Sequence, residues 1–130
     1  MIDVTCAIII EKEQVLVTQR SESMPHALKW EFPGGKVKEG ETPESCIRRE
    51  IKEELGLQIR VDRLLHATNY RYETHSVKLI PFICKVLEGS IILAEHKSFK
   101  WVAIKDLEEL DWLDADVEIV RMLVALFPEP

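Results

Sequence analysis

One hundred and thirty residues, 46% hydrophobic and 31% charged, have the balance of one ordinary soluble globular domain spanning 1–130. Seventeen basic residues against twenty-three acidic ones leave a net charge of −6, which argues against a partner that is a nucleic acid polymer. Cys6, Cys46 and Cys84 lie far apart without CxxC spacing, so neither a disulfide framework nor a structural zinc site is expected, and the thiols read as reduced in a cytoplasmic protein. The chain begins MIDVTCAIII without a basic leader, and no apolar run approaches the roughly 18 residues of a membrane span. Neither secretion nor a membrane partner is expected.

In chain order, Val4 to Ile10 and Val15 to Thr18 are β-branched runs separated by the charged turn Glu11 to Glu13, the pattern of a hairpin. Trp30 to Phe32 predicts a short strand stopped by Pro33, and a polar loop follows from Gly34 to Glu41. Gly34 and Gly35 carry no Cβ, so that loop can approach a ligand closely. Thr42 is a good N-cap, Pro43 suits the first helical position, Glu44 complements the helix N-terminus and Gly56 stops the helix; the prediction is a helix over about 43–55. Residues 58–72 and 77–87 predict two longer strands with His75 in their connection, and Phe99 to Ile104 another. Asp106 to Leu110 reads as a helical turn, and Asp116 to Leu126 has the apolar spacing of an amphipathic closing helix. The order of strands and helices predicts an α+β chain.

The 43–55 helix carries the chemistry. At about 100° per residue, Glu50, Glu53 and Glu54 fall within roughly a third of its circumference. Like charges at i,i+4 destabilise a helix by a few tenths of a kcal/mol per pair, and a hard divalent cation removes that cost. Mg²⁺ prefers carboxylate oxygen and keeps positions open for water and substrate phosphate, with Mn²⁺ the alternative ion. A glutamate-rich helix is most often only a solvated face; the full motif to which this helix belongs shifts the balance to a metal site.

Gly35, Glu41, Arg49, Glu50, Ile51, Glu53, Glu54, Gly56 and Leu57 fill every position of the Nudix box, nine positions fixed over twenty-three residues. The preceding Trp30-Glu31-Phe32-Pro33-Gly34 resembles the MutT branch of that family. The resemblance implies a mixed sheet sandwiched between helices and hydrolysis of a nucleoside diphosphate linked to another group, in this branch usually a nucleoside triphosphate cut to the monophosphate and pyrophosphate. By the same resemblance Glu50, Glu53, Glu54 and the Gly34 carbonyl hold the metal, Glu50 is the favoured acceptor of the water proton, and Arg49 orients a carboxylate. Glu41 ties the loop to the helix. Glu95, six residues before Trp101, resembles a further metal ligand of MutT-like proteins; Arg20 resembles a phosphate- or ribose-contacting arginine; and Lys36 is placed to reach a terminal phosphate. Asp116 occupies the place of the family's base-reading Asn or Asp, and Phe32 is a candidate to pack on the base.

Plainer roles stand beside these. Asp116 suits the N-cap of the last helix equally well. Trp30, Phe32 and Trp101 fit core or wall positions. His26, His66, His75 and His96 have no metal spacing and read as structural or exposed. Tyr70 and Tyr72 alternate on a strand, so one of them lines the pocket. In its Glu95-His96 pair and its Ala115-Asp116 step the chain is most similar to the CTP pyrophosphohydrolase subgroup, which implies CTP, dCTP or a modified cytosine nucleotide as substrate, with 8-oxo-dGTP the enzymatic alternative. A nucleotide-sensing domain that binds without cleavage is the alternative of another class. A monomer or homodimer fits either.

Overall fold

The computed structural model describes residues 1–128. The hydrophobic run at the start becomes β1 (Ile2–Glu11), whose residues 6–9 are buried on both faces, as the central strand of a sheet must be. A two-residue turn at Lys12 and Glu13, both with positive φ, sends the chain back as β2 (Gln14–Gln19). β3 (Trp30–Glu31) and β8 (Ser98–Ala103) flank β2, each antiparallel to it. β7 (Ser76–Glu88) lies on the other side of β1 and parallel to it, with Ile2 opposite Val77 and Ile9 opposite Cys84. Among the described residues, eight strands join in one mixed sheet.

Alternation along β1 divides the interior. Cys6, Ile8 and Ile10 point to one face and pack with Leu107, Trp112, Ile119, Val120 and Leu123, the last three from α2 (Val117–Leu126). Ala7 and Ile9 point to the other and meet Ile47, Ile51 and Leu55, one stripe of α1 (Pro43–Leu55). The sheet is thus sandwiched between helices, as expected. α1 has the predicted bounds: Thr42 Oγ1 accepts the Ser45 N–H at 3.1 Å, Pro43 opens the helix, and Gly56 closes it in the left-handed region with φ 70°.

Two expectations needed revision. The run 58–72 is two strands, β5 (Gln58–Leu64) and β6 (Thr68–Arg71), which pair antiparallel with different stretches of β7. Leu64 stands opposite Phe82 and Thr68 opposite Leu79, so the interruption falls across from Pro81, which has no N–H to give a ladder. The loop predicted after Pro33 starts instead as β4 (Gly34–Lys36), laid antiparallel on Val4–Cys6. The glycines allow this approach, since a Cβ on Gly34 would collide with the Thr5 carbonyl. The turn predicted at 106–110 is a 3₁₀ helix over Ile104–Glu109, and a second short one, Asp114–Asp116, leads into α2.

Ile51 is fully buried between α1 and the sheet and immediately follows Glu50. Ile51→Ala is expected to lower stability by about 2–5 kcal/mol, read as a shift of the denaturant midpoint without a change in slope.

Candidate active site

The buried stripe of α1 fixes how the adjacent stripe is presented. With Ile47, Ile51 and Leu55 held in the core, Glu50, Glu53 and Glu54 line a cleft of about 650 Å³. Its walls also include Val4 and Thr5 of β1, Arg20, Glu31 and Phe32, the Gly34–Lys36 strand, Tyr72 and His75, Glu95 and His96, and Asp116. The structure therefore brings the predicted residues Arg20, Phe32, Gly34, Lys36, Glu50, Glu53, Glu54, Glu95 and Asp116 to one cleft. Arg49 stands behind it.

Arg49 organises the carboxylates. Its Nε and Nη2 grip both oxygens of Glu41 at 2.7 and 3.0 Å, while Nη1 donates to Glu50 at 2.8 Å and to Glu53 at 3.2 Å. This fork uses the planar geometry that lysine lacks. Nη2 also reaches the Lys36 carbonyl, so the guanidinium ties the glycine strand to the helix. Arg49, with help from the Lys38 N–H, holds Glu41 at about 2, far below the usual carboxylate value. The glycines let the loop close down here too, because a Cβ on Gly35 would stand 2.6 Å from both Glu50 oxygens.

Glu54 is the carboxylate that Arg49 does not reach. Burial first, then the charges of Glu50, Glu31 and Glu95, push it up to about 8, opposed by the Gly34 N–H at 3.4 Å. A group of carboxylates gathered on one cleft with too few cations is a set that a hard divalent ion would complete, and their oxygens are the donors such an ion prefers. Among the described residues no three His, Cys, Asp or Glu side chains stand in an arrangement that already holds a metal ion.

Asp116 is buried deep in the cleft wall. It stands at the N-cap position of α2 but makes no capping bond; its Oδ2 accepts the Phe32 N–H at 2.9 Å. Burial pushes it up to about 8, which favours the protonated form, able to donate as well as accept. Phe32 has its ring 4.7 Å from that of Trp112 and is almost wholly buried. Arg20 gives Nη1 to Glu31 at 2.9 Å and Nε to the Pro25 carbonyl at 2.7 Å. Of the two tyrosines, which both pack on the core, Tyr72, just past the end of β6, lines the cleft, stacked on His75 at 5.1 Å.

Sequence reading missed Glu31 and gave His96 only a generic role. Glu31 joins Arg20 through one oxygen and His96 Nε2 through the other, at 2.8 Å. The available signal was a carboxylate between two large aromatics, Trp30 and Phe32, where a strand would be expected to bury its neighbours. His75 and His26 also line the cleft beside Tyr72, and only the fold brings the loops that carry them together.

A helix of glutamates, a glycine strand against it and a mixed sheet between helices define a class of phosphoanhydride hydrolases, and the model of the NUDIX domain matches residues 1–123. The chain belongs to the NUDIX family and is a hydrolase of its MutT-like kind. It is similar to the 8-oxo-dGTP diphosphatase of Buchnera aphidicola subsp. Schizaphis graminum, 31% identical over 93% of this chain and 92% of that protein. The CTP pyrophosphohydrolase of Escherichia coli strain K12 is 27% identical over 97% and 93% of the two chains. The solution structure of the E. coli ORF135 protein superposes with a TM-score of 0.85, covering 97% of this chain and 90% of that one at 27% identity. Nudix hydrolases act on nucleotides and in general use divalent metals.

The raised values of Asp116 and Glu54 fix the sign of a pH effect. Each binds a proton more tightly folded than unfolded, so its contribution to stability is greatest below its unfolded value near 4 and is lost as pH rises toward 8. In EDTA the melting temperature should fall by at least about 5 °C between pH 5 and pH 8.5. Asp116→Asn, whose amide oxygen can still accept the Phe32 N–H, and Glu54→Gln should each shrink that fall.

Proposed function

We propose that the chain is a Mg²⁺-dependent nucleoside triphosphate pyrophosphohydrolase, converting a nucleoside triphosphate and water to the monophosphate and pyrophosphate. The observation that carries this reading is that Glu50, Glu53, Glu54 and Glu95 line one cleft together with the Gly34 strand. Those four carboxylates and the Gly34 carbonyl would hold the cation, which when bound supplies charge neutralisation at the phosphate oxygens and an acidified water. Glu50 takes the proton as the water oxygen bonds to phosphorus and the bridging P–O bond breaks with its electrons leaving on the departing phosphate. Arg49 keeps Glu50 and Glu53 aimed during that transfer, and Lys36 and Arg20 are the cations placed for the phosphates or ribose.

Base selection falls to Asp116. A protonated carboxyl offers an O–H and an accepting oxygen side by side, which complements the ring nitrogen and exocyclic amine of cytosine. Cytosine nucleotides, CTP, dCTP or a modified form, are therefore the preferred substrates, with Phe32 and Tyr72 as apolar walls. The second reading is 8-oxo-dGTP, supported by the name of the Buchnera relative and by a carbonyl and N–H edge that the same carboxyl can match.

Glu53→Gln should lower kcat by about 100-fold or more in saturating Mg²⁺ while leaving the melting temperature near that of the parent, because the cation loses a charged ligand. Near-normal turnover would remove Glu53 from the ligand set. Pyrophosphate release from CTP, dCTP, 5-methyl-dCTP, 8-oxo-dGTP, the ordinary triphosphates and ADP-ribose decides the substrate. Asp116→Ala should change the order of kcat/KM across that panel, while Asp116→Asn, whose amide keeps a donor beside an acceptor, should preserve it; equal loss on every nucleotide in Asp116→Ala would exclude base reading at this position.

A further inference from the structure

Glu95 and His96 are neighbours, but they turn to different tasks. The segment between β7 and β8 is tied down by backbone bonds on both sides of the pair. Ile92 N–H donates to the Leu55 carbonyl at 2.9 Å and Ala94 N–H to the Glu54 carbonyl at 3.1 Å, while Lys97 N–H donates to the Gln19 carbonyl at 2.9 Å. The Ala94 bond attaches the segment to a residue whose own side chain lines the cleft. His96 adds a buried side-chain tie, Nε2 to Glu31 at 2.8 Å, beside the exposed pair of Lys97 Nζ with Glu22 at 3.4 Å, and the ring is almost wholly buried.

The chemistry of that ring is costly unless the bond matters. His96 Nδ1 is the only buried side-chain nitrogen or oxygen among the described residues left without a hydrogen-bond partner. An apolar side chain would fill the same space without an orphaned polar atom, so what histidine adds here is the Nε2 bond. Nε2 can donate whether the ring is neutral or charged. Glu31, for its part, has one oxygen on His96 and the other on Arg20, which in turn holds the Pro25 carbonyl. Although it lines the cleft, Glu31 is occupied within the protein and spans from the 21–29 loop to the 94–97 segment.

We propose that His96 is a positioning residue which, through Glu31, holds the 94–97 segment so that Glu95 enters the cleft beside Glu54. This rests on the reading of Glu95 as a cation ligand. Removing the tie lets the Glu95 carboxylate spread over conformations that do not reach the cation, so more Mg²⁺ is needed for the same rate.

The test is a set of rate measurements against Mg²⁺ concentration on the best triphosphate of the panel, for the parent, His96→Phe, His96→Gln, Glu95→Gln and the Glu95→Gln/His96→Phe double variant, with melting temperatures alongside. His96→Phe should raise the half-saturating Mg²⁺ concentration roughly 10-fold, His96→Gln, which keeps a donor, should restore most of it, and the double variant should match Glu95→Gln alone. If His96→Phe does not fold, His96→Asn, polar but too short to reach Glu31, takes its place. An unchanged Mg²⁺ dependence in the variant lacking the tie, or the same loss again on top of Glu95→Gln, overturns the positioning role while leaving Glu95 a ligand. A Glu95→Gln variant indistinguishable from the parent overturns the ligand reading itself, and the positioning role with it.

Discussion

The guanidinium of Arg49 serves three carboxylates at once, and the geometry of the cleft depends on it. Glu41 binds it with both oxygens and anchors it to the loop before the helix, while Glu50 and Glu53 share a single nitrogen on the cleft side. One cation cannot neutralise them all, and Glu54, just beyond its reach, is left to be desolvated among like charges. The fold keeps this crowding because the opposite stripe of α1 is sealed against the sheet, so the glutamates cannot rotate away without unpacking Ile47, Ile51 and Leu55. Hydrophobic burial on one side of the helix thus sustains electrostatic tension on the other.

Much of this was legible in the chain. α1 could be bounded to the residue because its start and stop are local chemistry, a threonine cap, a proline and a left-handed glycine. The β-branched run of β1 and the apolar spacing of α2 were likewise local. What escaped was decided by partners distant in sequence. The split of 58–72 is set by Pro81 on another strand, and the strand character of Gly34–Lys36 by the backbone of Val4–Cys6.

The site divides in the same way. Residues whose type and spacing recur in one helix, the three glutamates and Arg49, could be found from sequence. Glu31 and His96 could not be joined, since sixty-five positions separate them and each reads alone as an ordinary strand or loop residue. For Asp116 the sequence left a cap and a base reader equally open. Its carboxylate accepts the Phe32 amide and makes no capping bond, a choice that depends on β3 lying beside Trp112 and Leu113, just ahead of α2.

The parallel pairing of β1 with β7 joins Ile2 to Val77, and α1 lies on the stretch of chain between them. Closing a loop of that length is entropically costly before any contact rewards it, and topologies with such distant partners fold slowly. The glutamate helix is therefore supported on its final seat only when the two ends of this crossover have met. Until then its charged stripe has no cleft to line, so a newly made chain holds all of these glutamates well before it holds the cleft that gathers them.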